Sequence, residues 1–156
     1  MATWQFGFHL VPRSEVERRF GTLPLTISVD DYESINWWVH NVHQFNDELS
    51  ELLPKGRSWN IEIDTWGTED GHRFDVIREN QRMAELLGRL DVRNLSLSFV
   101  NRVIDMARRN DLVIVTEGRH VLRPSVRELI SAVRRSPSFA FVKDPEAFLR
   151  DLSERD

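Results

Sequence analysis

The chain of 156 residues contains no cysteine. This absence excludes disulfide bonds and metal sites built on thiolates. No apolar run approaches the roughly 20 residues that a helix needs to cross a bilayer. The amino terminus also lacks a basic start followed by an apolar segment and a small-residue cleavage site, so we expect a cytoplasmic protein.

Several sequence signatures of enzymes are also absent. The chain has no Gly-x-Ser-x-Gly motif, no glycine-rich phosphate loop and no dinucleotide-binding fingerprint. Acyl transfer, nucleotide hydrolysis and hydride transfer therefore lack their usual sequence support. These absences favour a binding protein over an enzyme.

The chain contains enough apolar residues to form the hydrophobic core of one ordinary domain, since 40% of its residues are hydrophobic. On folding, a chain of this length buries about 70% of the surface that the unfolded chain exposes, so it needs no disulfide bonds for stability. We find no internal repeat, low-complexity tract or flexible linker. The sequence therefore predicts a single domain over residues 1–156.

Charge is distributed unevenly along the chain. Residues 30–91 carry fourteen acidic and six basic side chains, net −8, whereas residues 102–135 carry eight arginines and four acids, net +4. Such asymmetry creates a field with a direction and favours charged partners. Two solvated surfaces would give the same composition.

Alternation of apolar and polar residues predicts a sheet. In residues 3–10, Trp4, Phe6, Phe8 and Leu10 fall on one face, as in a strand that covers a core. The same reasoning predicts strands at 25–29, 58–66, 72–78, 83–92 and 111–122. In the strand 58–66 we expect the apolar face to meet the helices, through Trp59, Ile61 and Ile63.

Apolar residues spaced by three and four predict the helices. The largest, 33–53, would bury Trp38, Val42, Phe45 and Leu49. Capping residues predict shorter helices at 14–20, from Asn94 or Ser96 to Asn110, from Ser125 to about Arg135, and from Asp144 onward. The combination predicts an α+β fold, with an antiparallel or mixed sheet and helices packed mainly on one face.

The candidate binding residues lie in the acidic middle of the chain. On ideal alternation Glu62, Asp64 and Trp66 share one strand face, and Asp75 and Glu85 belong to the next two strands. An exposed tryptophan among carboxylates suits protein recognition, because the ring supplies rigid contact area and the charges select a basic partner. We therefore predict these five residues as partner-binding, although any one tryptophan could instead complete the core.

The same carboxylates allow a second hypothesis, a small carboxylate- or metal-dependent hydrolase that uses Glu62, Asp64, Asp75 or Glu85. It requires these groups to converge in a pocket. His40 and His43 lie three residues apart on the predicted long helix, but the motif lacks the glutamate of a zinc protease. A polar helix face explains the pair, so we predict no metal and no cofactor.

A third hypothesis is nucleic-acid binding through the arginine-rich segment 102–135. Cationic side chains there could contact phosphates, or they could occupy the polar sides and carboxyl ends of helices. The arginines concerned are Arg102, Arg108, Arg109, Arg127, Arg134 and Arg135. Because the whole chain is acidic, we rank this hypothesis last.

Two stretches of the second half resemble known sequences: RLDVRNLSLSFVNRVIDMARRNDLVIV (89–115) and SFAFVKDPEAFLRDL (138–152). They are similar to a group of small bacterial proteins, some of which resemble immunity proteins of polymorphic toxin systems. The resemblance covers about a quarter of the chain, lies mostly in packing and capping residues, and supplies no catalytic residue.

This resemblance implies a non-enzymatic protein that binds and neutralises a toxin domain. The acidic middle of the chain fits that role, because a toxin that cleaves nucleic acid must be cationic to hold its substrate. The leading hypothesis is thus a protein-binding module, an immunity-type inhibitor that binds a cationic toxin domain through an acidic sheet face.

Overall fold

Strand β1 (Gln5–Pro12) lies between two partners inside a six-stranded antiparallel sheet of order β2-β3-β4-β1-β5-β6. The computed structural model describes residues 1–40 and 44–142. The other strands are β2 (Ile63–Gly67), β3 (Arg73–Glu79), β4 (Arg82–Asp91), β5 (Leu112–Thr116) and β6 (Val121–Leu122). The predicted strands at 3–10, 72–78 and 83–92 are confirmed, and 111–122 forms the hairpin of β5 and β6.

Six α-helices accompany the sheet in the described ranges, which confirms the α+β class. They are α1 (Arg13–Phe20), α2 (Val29–Ser34), α3 (Asn46–Leu52), α4 (Leu97–Arg109), α5 (Val126–Arg134) and α6 (Pro137–Phe141). The predicted caps of α4 and α5 form, since Ser96 Oγ accepts from the Phe99 amide and Ser125 Oγ from the Glu128 amide. None of these helices is long and apolar enough to cross a membrane.

One face of the sheet is buried under helices, and we call it the covered face. Helix α3 lies against it at β2, because Trp66 Nε1 donates to Ser50 Oγ at 3.0 Å. Helix α4 packs beside α3 and also contacts α5 and β5. The side chains that this face buries include Phe6, Phe8, Leu10, Trp66, Phe74, Val76, Leu86 and Leu90.

The register of the covered face places the ring of Phe8 over a residue without a side chain. Phe8 lies opposite Gly88 on β4 and opposite Thr116 on β5. A Cβ atom on Gly88 would lie 2.3 Å from Phe8 Cζ. Glycine in mid-strand weakens a sheet intrinsically, so its use here reflects the close approach of the ring.

The predicted long helix 33–53 is wrong. Helix α2 ends at Ser34, Ile35 is extended (φ −89°, ψ 130°), and the next described helix, α3, begins at Asn46. The helix stops because a side chain, and not a further helical amide, satisfies a carbonyl of its last turn. Trp37 Nε1 donates to the carbonyl of Tyr32 at 3.2 Å. Three apolar residues of the predicted stripe, Trp38, Phe45 and Leu49, are still buried, and Trp38 packs on Phe45 with ring centroids 5.6 Å apart. Val42 lies outside the described residues.

The predicted strand 25–29 is also wrong, although part of it touches the sheet edge. Only a single bridge forms, between Thr26 and His120, and Val29 already begins α2. The amide of Ile27 donates to the carbonyl of Arg119 at 2.9 Å, and the amide of Val121 donates to the carbonyl of Leu25 at 2.9 Å. These bonds cover the outer edge of β6, which would otherwise offer unpaired groups to another chain.

At the opposite edge, the predicted strand 58–66 is wrong in its first half. Strand β2 begins only at Ile63, and its outer edge is partly covered by the segment before it. Gly56 donates its amide to the carbonyl of Thr65 at 2.8 Å, and Gly67 donates to that of Pro54 at 2.8 Å. The predicted helix from Asp144 lies outside the described residues.

Replacing Gly88 with alanine should destabilise the fold. The added methyl group would collide with the ring of Phe8, and overpacking of this kind costs about 1–3 kcal/mol. Urea unfolding measures the loss. The matched control is Gly118→Ala, where the nearest atom to the new Cβ is 3.3 Å away on the exposed His120 side chain. Equal unfolding midpoints for the two variants would show that the register around Phe8 is assigned wrongly.

Candidate functional site

The second face of the sheet is only half covered, and we call its β2–β3–β4 part the open face. Most of its side chains are half-buried, whereas Thr65 and Asp75 on the same face are fully buried. Helix α2 bounds it at β1, where the ring of Tyr32 lies 5.0 Å from that of His9. The half-buried side chains of the open face are Ile63, Arg73, Ile77, Glu85, Leu87 and Arg89.

The five predicted partner-binding residues do not share one surface. Asp64 and Trp66 point to the covered face, opposite Val76 and Phe74. Asp75 and Glu85 point to the open face, and Glu62 precedes β2 in a loop. The expectation of a single acidic sheet face is therefore wrong, because Asp75 pairs with Thr65 and Glu85 with Ile77, on the face opposite to that of Asp64 and Trp66.

Trp66 is part of the core, with 1% of its surface exposed. Its indole Nε1 donates to Ser50 Oγ, and the ammonium of Lys55 lies 4.0 Å above its ring. The alternative that a tryptophan completes the core thus applies to this residue. Trp66 contributes stability at the β2 edge and no surface for a partner.

Asp64 and Asp75 are each neutralised within the chain. Asp64 accepts a hydrogen bond from Arg78 and lies 3.3 Å from Lys55 Nζ. Burial alone would raise the pKa of Asp64, but these two cations outweigh it and lower that pKa. Asp75, 3% exposed, accepts from Thr65 Oγ1 at 2.6 Å and from Arg73 Nε at 2.9 Å. Neither carboxylate has a free charge to offer a partner.

Glu62 and Glu85 differ from these two aspartates. Within residues 1–40 and 44–142, neither glutamate side chain has a salt bridge or a hydrogen bond, and Glu62 is exposed. Burial raises the pKa of Glu85, the nearby charge of Glu79 raises it further, and the charge of Arg119 offsets part of this rise. These are the two predicted carboxylates with charge left for an external cation.

The most exposed apolar side chains near this region lie in residues 57–62, the Trp59 loop. Trp59 is 85% exposed and Ile61 is 98% exposed. The prediction that they face the helices is wrong. Sequence reasoning missed the loop because its apolar residues alternate as in a strand, although Ser58 and Asn60 are turn-forming residues.

Hydrogen bonds from its own polar residues brace the Trp59 loop. Ser58 Oγ accepts from the Asn60 amide at 3.2 Å and donates to the Asn60 carbonyl at 2.8 Å. Asn60 Oδ1 accepts from the Glu62 amide at 2.8 Å, and the Asn60 carbonyl accepts from the Ile63 amide at 3.1 Å. Such side-chain bonds replace the sheet ladder and fix the direction in which the apolar residues point.

A cleft of about 410 Å³ lies between the Trp59 loop and β2, and we call it the Arg73 cleft. Its lining combines two arginines, one acid, two hydroxyl groups and the indole: Arg57, Ser58, Trp59, Thr65, Gly67, Glu69 and Arg73. None of the predicted carboxylates lines this cleft, and Asp75, which is buried, bonds to Arg73 of its lining.

A cluster of titratable groups borders the open face at β1. The guanidinium of Arg119 lies 4.7 Å from the centre of the Tyr32 ring, which also contacts His9. His9 Nδ1 and Arg119 Nε are buried and have no hydrogen-bond partner in the described residues. Burial, and to a lesser extent the charge of Arg119, lowers the pKa of His9 to about 4. Burial, with the charge of Glu85, raises the pKa of Tyr32.

The carboxylates required by the hydrolase hypothesis do not converge. A cavity of about 870 Å³ beside the β3–β4 turn has none of Glu62, Asp64, Asp75 or Glu85 in its lining. No group of three potential metal ligands occurs in residues 1–40 and 44–142. His40 Nδ1 lies 2.8 Å from Glu15 Oε1, and His43 lies outside the described residues.

Two arginines of the segment 102–135 connect parts of the fold. Arg102 donates to the carbonyl of Glu51, which links α4 to α3. Arg108 Nε donates to the carbonyl of Pro124 at 2.8 Å, which links α4 to the segment before α5. These bonds give both residues a structural role.

Comparison with known proteins adds no family to this geometry. No family model matches the chain, and neither a curated protein nor a solved structure matches it significantly. The functional interpretation therefore depends on the residues and contacts described above.

Removing the carboxylate of Asp75 should destabilise the protein, whereas removing that of Glu62 should not. Asp75→Ala leaves Arg73 and the Thr65 hydroxyl without their buried acceptor, which costs about 2–3 kcal/mol. Glu62→Ala removes the same charge from an exposed site, where the change should stay within about 0.5 kcal/mol. Chemical denaturation at pH 7 compares the two variants. Equal losses would contradict the structural role of Asp75.

Acid should weaken the fold through His9. The unfolded chain takes up a proton on this histidine near its ordinary pKa of 6.5, but the folded chain does so only near 4. Stability is therefore fully present above pH 6.5 and falls as the pH drops toward 4, by about 3 kcal/mol at most. His9→Phe keeps a ring against Tyr32 and removes this contribution.

The check is denaturant unfolding of both proteins at pH 7 and pH 4.5. The wild type should lose more stability between the two values than His9→Phe does. A remaining dependence is expected from His72, whose pKa burial also lowers. The exposed His120 provides the control variant, His120→Asn, which should follow the wild type. Identical pH dependence of wild type and His9→Phe would refute the buried, neutral state of His9.

Proposed function

We propose that this chain is a non-enzymatic protein-binding module whose contact surface is the Trp59 loop with the adjoining open face. The observation that carries the proposal is the exposure of Trp59 and Ile61, 85% and 98%, on a loop held by its own hydrogen bonds. A partner that covered both side chains would gain large apolar area at roughly 25 cal/mol per Å². Tryptophan is also the residue type most enriched among energetically dominant contacts.

The hydrogen bonds within the Trp59 loop increase the net contribution of Trp59 and Ile61 to the binding free energy. Ordering a mobile loop on association makes the binding free energy less favourable, by about 0.5–1.5 kcal/mol for each immobilised side chain. Ser58 and Asn60 hold the loop backbone in one conformation in the free chain. Less ordering is then required on association, so more of the apolar gain remains.

The charges beside the loop favour a partner with basic side chains. Glu62 lies in the Trp59 loop and Glu85 on the open face, and neither forms a salt bridge in the described residues, although Arg119 partly offsets the charge of Glu85. A partner's lysine or arginine would satisfy both. A cationic toxin domain, the class of partner that the sequence resemblance implies, has this chemistry, and we propose it as the partner class.

Two variants with a matched control test the proposal. The candidate partner is the product of the neighbouring gene, purified and titrated by calorimetry. Trp59→Ala and Ile61→Ala should each raise the Kd about tenfold or more, because exposed apolar anchors of this kind contribute 2 kcal/mol or more. Leu25→Ala removes an equally exposed apolar side chain, 87% exposed and outside this surface, and should leave the Kd unchanged.

Thermal unfolding provides the second half of this test. All three variants should unfold within a few degrees of the wild type, because none of the side chains is buried. A Kd that rises equally for all three variants would contradict the location of the surface. Absence of any binding to the neighbouring gene product would remove the toxin-inhibitor assignment.

A further inference from the structure

The Arg73 cleft has a cation fixed at its base by buried groups. Arg73 Nε lies 3.0 Å and 2.9 Å from the two oxygens of Asp75, and its Nη2 lies 3.5 Å from Thr65 Oγ1. Asp75 and Thr65 are each 3% exposed. The guanidinium is therefore held along one edge by partners that cannot rearrange freely.

The other edge of this guanidinium remains available. Arginine has five N–H donors in a planar fork, and the bonds to Asp75 use only the Nε donor. Arg73 Nη1 has no acceptor in the described residues, and the side chain is 15% exposed where it lines the cleft. A fork with free terminal donors and a fixed orientation matches the two oxygens of a carboxylate.

The remaining walls of the cleft supply a second cation and a flat apolar surface. Arg57 is exposed, lines the cleft, and makes no salt bridge in residues 1–40 and 44–142. The indole of Trp59 forms one wall and is itself mostly exposed. Glu69 also lines the cleft, so the cationic character is moderate. This balance suits a single negative charge better than a phosphate dianion, which Glu69 and the nearby Asp75 would repel.

We propose that the Arg73 cleft binds a carboxylate carried beside a planar apolar group. The carboxylate would bond to the terminal nitrogens of Arg73 and lie near Arg57, with the planar group against the ring of Trp59. Either a small aromatic acid or the carboxyl-terminal aromatic residue of a peptide has this chemistry. The inference goes beyond the proposed protein-binding function, because it assigns a second kind of ligand to the cleft, although Trp59 and Arg73 belong to both surfaces.

Titration followed by NMR of the ¹⁵N-labelled full chain tests this site with defined probes. The probes are sodium benzoate and its neutral analogue benzamide, with sodium chloride matched, and the peptide acetyl-Gly-Gly-Phe as free acid and as amide. Benzoate should shift the Trp59 indole and Arg73 Nε–Hε signals with a Kd in the millimolar range. Benzamide should bind at least about tenfold more weakly, since it lacks the charge that the fork recognises.

Variants separate the contribution of each wall. Arg57→Gln should weaken benzoate binding a few-fold, and Glu69→Gln should strengthen it, because the two changes alter the charge of the cleft in opposite directions. Arg73→Gln should weaken it at least tenfold. Should that single variant fail to fold because Asp75 is left unpaired, the double variant Arg73→Gln/Asp75→Asn takes its place. Arg109→Gln removes an exposed arginine at the end of α4, outside both the cleft lining and the open face, and should change nothing.

Comparison of the acid peptide with benzoate shows whether the ligand is a chain terminus or a small aromatic acid. A free-acid peptide that binds about tenfold more tightly than benzoate, with the amide form inactive, identifies a chain terminus as the occupant. Equal binding of acid peptide and benzoate identifies a small aromatic acid. Equal shifts with benzoate and benzamide, or no shift at Trp59 and Arg73, would overturn the site. Because no protein partner is present, this failure is distinct from failure of the proposed protein-binding function.

Discussion

The contact between Phe8 and Gly88 is the constraint on which the rest of the sheet depends. β1 is paired on both sides, and Phe8 lies opposite Gly88 on β4 and Thr116 on β5. Only a residue without a side chain leaves room for the ring, so β4 cannot slip by one residue without a collision. Once this register is set, Phe6, Leu86 and Leu90 fall on the covered face with Phe8, whereas Glu85, Leu87 and Arg89 fall on the open face.

Internal pairing of charges decides which of the acidic residues remain available. Asp64 and Asp75 form salt bridges with arginine and lysine side chains of the same chain, whereas Glu62 and Glu85 form none in the described residues. The acidic segment is therefore less acidic at its surface than its composition indicates. Its most accessible apolar feature is instead the Trp59 loop, where hydrogen bonds keep large side chains in water. Exposed apolar area on a fixed backbone favours recognition of another molecule.

Much of the fold could be predicted from local patterns, because β1, β3, β4, α4 and α5 each follow their periodicity and caps. The failures share one physical cause: the same spacing of apolar residues fits two structures. The stripe around Trp38 suits a helix, but burial is reached in a loop after Trp37 closes α2 at its carbonyl end. Alternation at Trp59 and Ile61 suits a strand, but local bonds from Ser58 and Asn60 outcompete sheet pairing. The candidate surface could not be predicted because it depends on which charges meet across strands.

The conformation of the Trp59 loop in the free protein tests the account most directly. Backbone ¹⁵N relaxation of residues 58–62, in the absence of any ligand, reports whether the loop is fixed before binding. Order parameters of about 0.8 or higher, close to those of β2, are predicted, together with free access of a soluble quencher to the Trp59 indole. Order parameters below about 0.6, or a protected indole, would contradict a preformed apolar contact surface.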